Sequence, residues 1–263
     1  MIETFTFVQG SSPLLISVPH DGRTLPGEIA SVMTEAGRTI PDTDWHVAHL
    51  YEFAHELGAS VIRAEYSRYV VDLNRSTDDK ELYEGRFGTG LCPTQTFAGE
   101  EIYERGSEID VGGRVAEFWQ PYHDKIDETL NTLRREHGTA LLWDAHSIAS
   151  RVPNLFDGSL PDLNIGTWND RSCDPEISRA VLAAAEASDY EVAFNGRFKG
   201  GHITRHYGRP ADNMHAIQLE LSQITYMNEA NHEFNEEKAA RLRGTLTNML
   251  VAYLESAGFR DGE

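Results

Sequence analysis

Cysteine, positive charge and long apolar runs are all scarce in this chain. Its 263 residues include only Cys92 and Cys173, far apart and in no C-x-x-C spacing, so neither a disulfide framework nor a thiolate zinc site is indicated and a reducing cytoplasm fits. The apolar run nearest the N-terminus, Leu14 to Val18, is too short for the hydrophobic stretch of an export signal and far too short to cross a bilayer. A soluble, unexported cytoplasmic protein is expected. Lysine and arginine total 23 against 42 acidic residues, a formal net charge of −19. Such a field repels phosphate backbones and anionic lipid, so neither nucleic acid nor a membrane is an expected partner. It also repels small anions, and a site for one has to gather arginines locally. Arg68, Arg75, Arg197, Arg205 and Arg209 are of interest for that reason.

What is present is enough apolar material, 40%, for one large core, and residues 1–263 are expected to form a single domain. Leu14 to Val18 reads as a buried strand emptying into the Pro19-His20-Asp21-Gly22 turn. Val47, Leu50, Tyr51, Ala54 and Leu57 recur at helical spacing and stop at Gly58. Ser60–Ala64 and Tyr69–Leu73 follow as strand candidates. From Ser76 to about Gly113 the text is irregular, and a loop that long is expected to lie over the surface or the site. A helix runs from Val115 through Leu133, where Pro121 should kink or interrupt it, and His137-Gly138 closes it. Thr139–Trp143 is a second buried strand, with Asp144 and His146 at its exit on one side by alternation. Ser147 to Cys173 reads as loop. Asp174-Pro175-Glu176 starts a helix to Ala187. Phe198–Gly208 looks like a glycine-rich loop or hairpin, Ala216–Ser222 like a strand with Glu220 on its polar side, and about Glu233 to Ser256 like a last helix. Strands alternating with helices predict an α/β fold, a mixed, largely parallel sheet flanked by helices, with the site beyond the carboxyl ends of the strands.

His20, Asp44 and His146 offer two imidazoles and one carboxylate, a set that leaves a catalytic zinc one open position. Such an ion lowers the pKa of water to about 7. Glu220 is the candidate base, and Asp144 can orient an imidazole. Each residue also has a plainer reading. Asp42 or Asp44 can cap the helix after them; His20 and His146 can be hydrogen-bonded core histidines; Glu220 can pair with a lysine; Arg75 can hold a loop by bonding carbonyls.

Longer strings narrow these choices. Ser17-Val18-Pro19-His20, Asp42-Thr43-Asp44-Trp45-His46-Val47, Ser67 to Arg75, Gly90 to Phe97, Asp144-Ala145-His146-Ser147-Ile148, Leu160 to Thr167, Asn195 to Gly201 and Ile203 to Gly208 together resemble the N-formylglutamate amidohydrolase family, in the same order from residue 17 to about 228. The resemblance implies a fold similar to the zinc exopeptidases, one divalent metal, zinc, and a small acidic N-acyl amino acid as substrate, hydrolysed to formate and L-glutamate. It implies His20, Asp44 and His146 as metal ligands and Glu220 as base and proton shuttle. Arg75 with Asn74 would grip the α-carboxylate, and Arg68 would stabilise the tetrahedral oxyanion. On charge logic Arg205 is the candidate for the γ-carboxylate, and His206 beside it a further donor to the intermediate. Two positions depart from the family pattern: His202, where an aromatic residue is expected, and Trp168-Asn169. Two alternatives stay open, a deacylase of another N-acyl acidic amino acid and a non-catalytic metal-dependent binding protein. The latter would have no need of Glu220.

Overall fold

The computed structural model describes residues 3–78 and 89–259. Among them, β1 (Phe5–Val8), β2 (Leu14–Val18), β3 (Ser60–Ala64), β4 (Ala140–Ile148), β5 (Leu163–Gly166), β6 (Val192–Phe194) and β7 (Met214–Ser222) form one sheet in the order β1-β3-β2-β4-β7-β5-β6. The inner strands β3, β2, β4 and β7 run parallel. β1 is antiparallel to β3 at one edge, and β5 is antiparallel to β7 near the other, with β6 parallel to β5. This is the mixed, largely parallel sheet expected from the sequence. Every residue of β2, β4 and β7 is buried, because helices cover both their faces; β2 and the first half of β4 are near-continuous apolar runs, whereas in β7 Ile217, Leu219 and Leu221 alternate with Gln218, Glu220 and Ser222. β1 alternates between half-buried and exposed, as an edge strand does.

Alternation sorts the strand residues into two apolar layers. Leu14, Ile16, Trp143, Ala145, Ile217 and Leu219 pack on one face, with α6 (Pro175–Glu186) and α8 (Glu236–Ser256). Leu15, Leu142 and Ala216 pack on the other with α5 (Gln120–His137). By the same alternation Asp144, His146, Gln218 and Glu220 belong to the α5 face. Short helices α1 (Gly27–Ser31), α2 (Glu35–Arg38), α3 (Val47–Leu50), α4 (Val111–Arg114) and α7 (His202–Tyr207) occupy the connections.

Four local expectations are corrected. Tyr69–Leu73 is no strand: its apolar side chains are buried in a chain of turns, and the Asp72 N–H donates to Leu91 O instead of to a ladder. Pro121 does not interrupt its helix. The turn before it, Val115–Trp119, widens to π-helical, which absorbs the missing N–H and the ring's crowding of the preceding turn, and α5 continues to Gly138 at φ +79°. The segment 147–173 contains β5, too short to announce itself by period. Phe198–Gly208 is not a hairpin, because His202–Tyr207 closes into α7. Of the 76–113 excursion, residues 79–88 lie outside the described residues; the remainder contributes Leu91 and Ile102 to the core and ends in α4.

Candidate metal centre

The centre is assembled where β2 and β4 end. His20 follows β2, and its carbonyl accepts the Asp44 N–H at 3.1 Å. The Asp21 carboxylate accepts the N–H groups of His46 (3.2 Å) and Ala48 (3.0 Å) at the start of α3. Asp21 therefore does the capping that the sequence suggested for Asp42 or Asp44, and Asp44 is left to face inward. His46 completes the turn in the left-handed region, φ +64°.

Asp44 Oδ2 accepts the Ser147 N–H at 3.1 Å and lies 3.1 Å from His146 Nδ1 and 3.7 Å from His20 Nδ1. The two imidazole rings are 4.8 Å apart between centroids. One ligand atom from each of His20, Asp44 and His146 falls within 4.8 Å of the others, and all three residues are buried. Each imidazole turns its far nitrogen to a second carboxylate: His20 Nε2 lies 2.8 Å from Asp72 Oδ1, and His146 Nε2 lies 3.1 Å from Asp144 Oδ1. Carboxylates in that position fix the tautomer and raise the basicity of a metal-ligating histidine. Asp144 was expected there; Asp72 was not assigned this role.

A divalent cation fits these residues. His20 Nδ1 is buried with no hydrogen-bond partner among the described residues, an arrangement that costs on the order of 1–3 kcal/mol unless something binds it, and Asp44 Oδ1 likewise makes no hydrogen bond, with only the Arg68 guanidinium 3.5 Å away. Electrostatics agree. Burial opposes charge on Asp44, yet His146 and His20 hold its carboxyl below the usual range. Burial likewise opposes protonation of His146, but Asp144 and Asp44 outweigh it and raise its pKa well above the ordinary value. The pocket is thus set to hold positive charge.

Arg68 closes one side. Its Nη2 donates to Asp72 Oδ2 at 2.7 Å, its Nη1 lies 3.5 Å from Asp44 Oδ1, and its guanidinium lies 5.0 Å from the Phe97 ring centroid. Asn74 closes another. Its Oδ1 accepts the Ile203 N–H (2.8 Å), while its Nδ2 donates to Asp144 Oδ2 (3.3 Å) and lies 2.9 Å from His146 Nε2. Only glycine can stand at 201, since a Cβ there would be 2.4 Å from Asn74 Nδ2. Glu220 pairs in register with His146 across β4 and β7 and is buried; burial first, and the Asp44 and Asp144 charges next, push its carboxyl up to about 8 against the pull of His146 and Arg68.

The structure thus brings His20, Asp44, His146, Arg68, Asn74 and Glu220 to one end of the sheet. Arg75 is beside them, its Nε donating to Thr89 O (2.8 Å) and its Nη1 to Asn74 O (3.1 Å). Arg205 and His206 lie on α7: Arg205 Nε donates to Gly200 O (2.9 Å), and exposed His206 stacks on His202 at 5.1 Å. His202 packs among Trp119, His123 and His206, and burial, with His206 nearby, lowers its pKa to about 4, so it is neutral at pH 7.

Among the described residues no helix is long and apolar enough to cross a membrane. The family model described as N-formylglutamate amidohydrolase matches residues 12–227. The chain is 49% identical over 259 residues to an N-formylglutamate deformylase of Pseudomonas putida and 50% identical over 261 residues to one of Pseudomonas aeruginosa, covering 97% of both partners each time. The crystal structure of an N-formylglutamate amidohydrolase from Ralstonia eutropha JMP134 superposes with a TM-score of 0.83 at 25% identity, over 95% of this chain and 98% of that one. With the family model spanning most of its length and two relatives near half identical from end to end, the chain belongs to the N-formylglutamate amidohydrolase family.

Proposed function

We propose that this chain is an N-formylglutamate deformylase: N-formyl-L-glutamate and water give formate and L-glutamate, the reaction the family resemblance assigns to histidine degradation. The observation that carries the reading is the buried His20–Asp44–His146 cluster in a chain near half identical to deformylases. Two nitrogens and one carboxylate oxygen suit zinc, and zinc is the proposed ion. Held by His20, Asp44 and His146, it supplies Lewis acidity, polarising the scissile carbonyl and lowering the pKa of water to about 7.

The chain's own groups divide the remaining work. Glu220, ionised once a cation stands nearby, takes a proton from the attacking water and returns it to the departing amine nitrogen, so that the C–N bond breaks as formate and an amine leave. Arg68 donates to the oxygen that gains charge as the carbonyl carbon becomes tetrahedral. The Arg75 bonds to Thr89 and Asn74 leave, among the described residues, one N–H on each terminal nitrogen, the fork that a carboxylate takes; the α-carboxylate is assigned to it, with Asn74 in support. Arg205 is the proposed partner of the γ-carboxylate, and His206 a further donor from the same helix. We also propose that residues 1–263 act as one domain, in the cytoplasm.

The test is formate release by the zinc-reconstituted chain across N-formyl, N-acetyl and N-succinyl derivatives of glutamate and aspartate. N-formyl-L-glutamate is expected to lead; a different leader would move the assignment to another N-acyl amino acid. Glu220→Gln separates enzyme from binder: it should keep the metal and lose turnover, whereas indifference would favour a binding protein.

A further inference from the structure

A cavity of about 360 Å³ opens beside the metal centre, far larger than a formyl group requires. Its place is fixed from two directions. Thr43, which precedes Asp44, and Ser147, which follows His146, both line it, and the Ser147 N–H donates to Asp44 Oδ2 at 3.1 Å. The cavity is thus one hydrogen bond from the centre. Phe97 forms another wall, with the Arg68 guanidinium 5.0 Å from its ring centroid. Arg68 is the group assigned to the acyl oxygen, and on that assignment its contact with Phe97 puts the cavity on the acyl side of the scissile amide.

Its lining states what it accepts. Phe97, Ile148, Val152 and Pro153 make it largely apolar. Asp42 and Arg151 also line it. Asp42 spends Oδ2 on the Tyr69 hydroxyl and the Phe97 N–H, and Arg151 donates to Ser159. The two are opposite in charge, so the lining gives no net preference for a charged acyl group. Small ligands enter such apolar concavities by burying carbon surface.

We propose that this cavity is an acyl-chain subsite, and that the chain hydrolyses N-alkanoyl-L-glutamates with straight chains of a few carbons as well as the formyl compound. The inference rests on the deformylase reading. The chemistry is unchanged: water adds to the acyl carbon, the C–N bond breaks, the proton passes to the amine, and an alkanoate leaves in place of formate.

The experiment measures kcat/KM of the zinc-reconstituted chain on N-formyl-, N-acetyl-, N-butyryl- and N-hexanoyl-L-glutamate. Formyl, the least hindered carbonyl, should turn over fastest. Within the alkanoyl series kcat/KM should rise with length, by up to about fourfold per methylene buried. Filling the cavity by Ala98→Trp, at its exposed rim, should lower the hexanoyl value about tenfold or more and leave the formyl value within twofold; Ala149→Leu is a second filling variant should the first misfold. A flat or falling alkanoyl series, or variants that slow both substrates alike, overturns the subsite while leaving the deformylase reading intact. Failure to hydrolyse any of the four compounds overturns the reading itself and the subsite with it.

Discussion

His20 and His146 do different electrostatic work from most buried histidines. His20 is held at Nε2 by Asp72, with Nδ1 left for the centre; His146 has Asp144 3.1 Å from Nε2 and turns Nδ1 to Asp44 Oδ2, also at 3.1 Å. Asp72 is shared between His20, Arg68 and the Asn74 N–H; burial opposes its charge, and Arg68, His20 and Arg75 overcome that and keep it ionised. Asp72→Asn should therefore weaken zinc binding about 10- to 100-fold, measured by competition against a chromophoric chelator, and unchanged affinity would remove Asp72 from the account. Glu220→Gln should lower kcat about 10²- to 10⁴-fold with zinc still bound. Its pH dependence has a definite sign. The ionised carboxylate is the active form, so kcat/KM falls as pH drops through the Glu220 pKa. That pKa is about 8 with no cation nearby, and a bound cation moves it downward. The acid limb should vanish from whatever activity the glutamine variant keeps. His20, His146 and Glu220 were legible in the sequence because they end or punctuate apolar strands. Asp21 and Asp72 were not, because a carboxylate's partner is chosen by tertiary contact: the backbone of α3 for one, a histidine more than fifty residues away in sequence for the other.

The strands that carry the ligands owe their legibility to burial on both faces. β2 and the Ala140–Trp143 start of β4 are near-continuous apolar runs that length alone separates from helices, while β7 is legible by its alternation, Ile217, Leu219 and Leu221 against Gln218, Glu220 and Ser222. β5 and α7 escaped because four to six residues are too few for a period to register. Tyr69–Leu73 misled because apolar content reports burial, not pairing. The large helices contribute stability through one face each. Leu246 of α8 is fully buried in the layer beneath the sheet, and Leu246→Ala should cost about 2–5 kcal/mol in chemical denaturation. Asn235 caps the same helix by accepting the Lys238 N–H at 3.0 Å; Asn235→Ala should cost about 1 kcal/mol. A loss from Leu246→Ala no larger than that of the cap would show α8 only loosely packed.

The folded chain couples the centre to acid stability. His123 is buried against Trp119, with rings 3.7 Å apart, and desolvation, aided by His202, lowers its pKa to about 3. The unfolded chain takes up that proton near pH 6.5 and the folded chain does not, so stability is complete above pH 6.5 and falls as pH drops from there toward 3. In the cation-free chain Glu220 acts with the opposite sign. Its folded pKa of about 8 gives stability that is present below about pH 4.5 and lost as pH rises toward 8, which offsets His123 between about 4.5 and 6.5. Loading the centre lowers the Glu220 pKa and requires neutral imidazoles, removing the offset. Melting temperatures from pH 7.5 to 4.5 should fall more steeply for the loaded protein than for the stripped one; parallel curves would contradict this. The α/β class was readable from alternation along the chain, but the bringing together of residues 20, 44, 72, 146 and 220 depends on strand order, which no local pattern encodes. The most direct measurement is a zinc titration of the metal-stripped chain, following formate release from N-formyl-L-glutamate. Activity should rise linearly to a plateau at one zinc per chain, and His146→Ala should abolish that saturation. Full turnover by the stripped chain in the presence of a chelator would contradict the account.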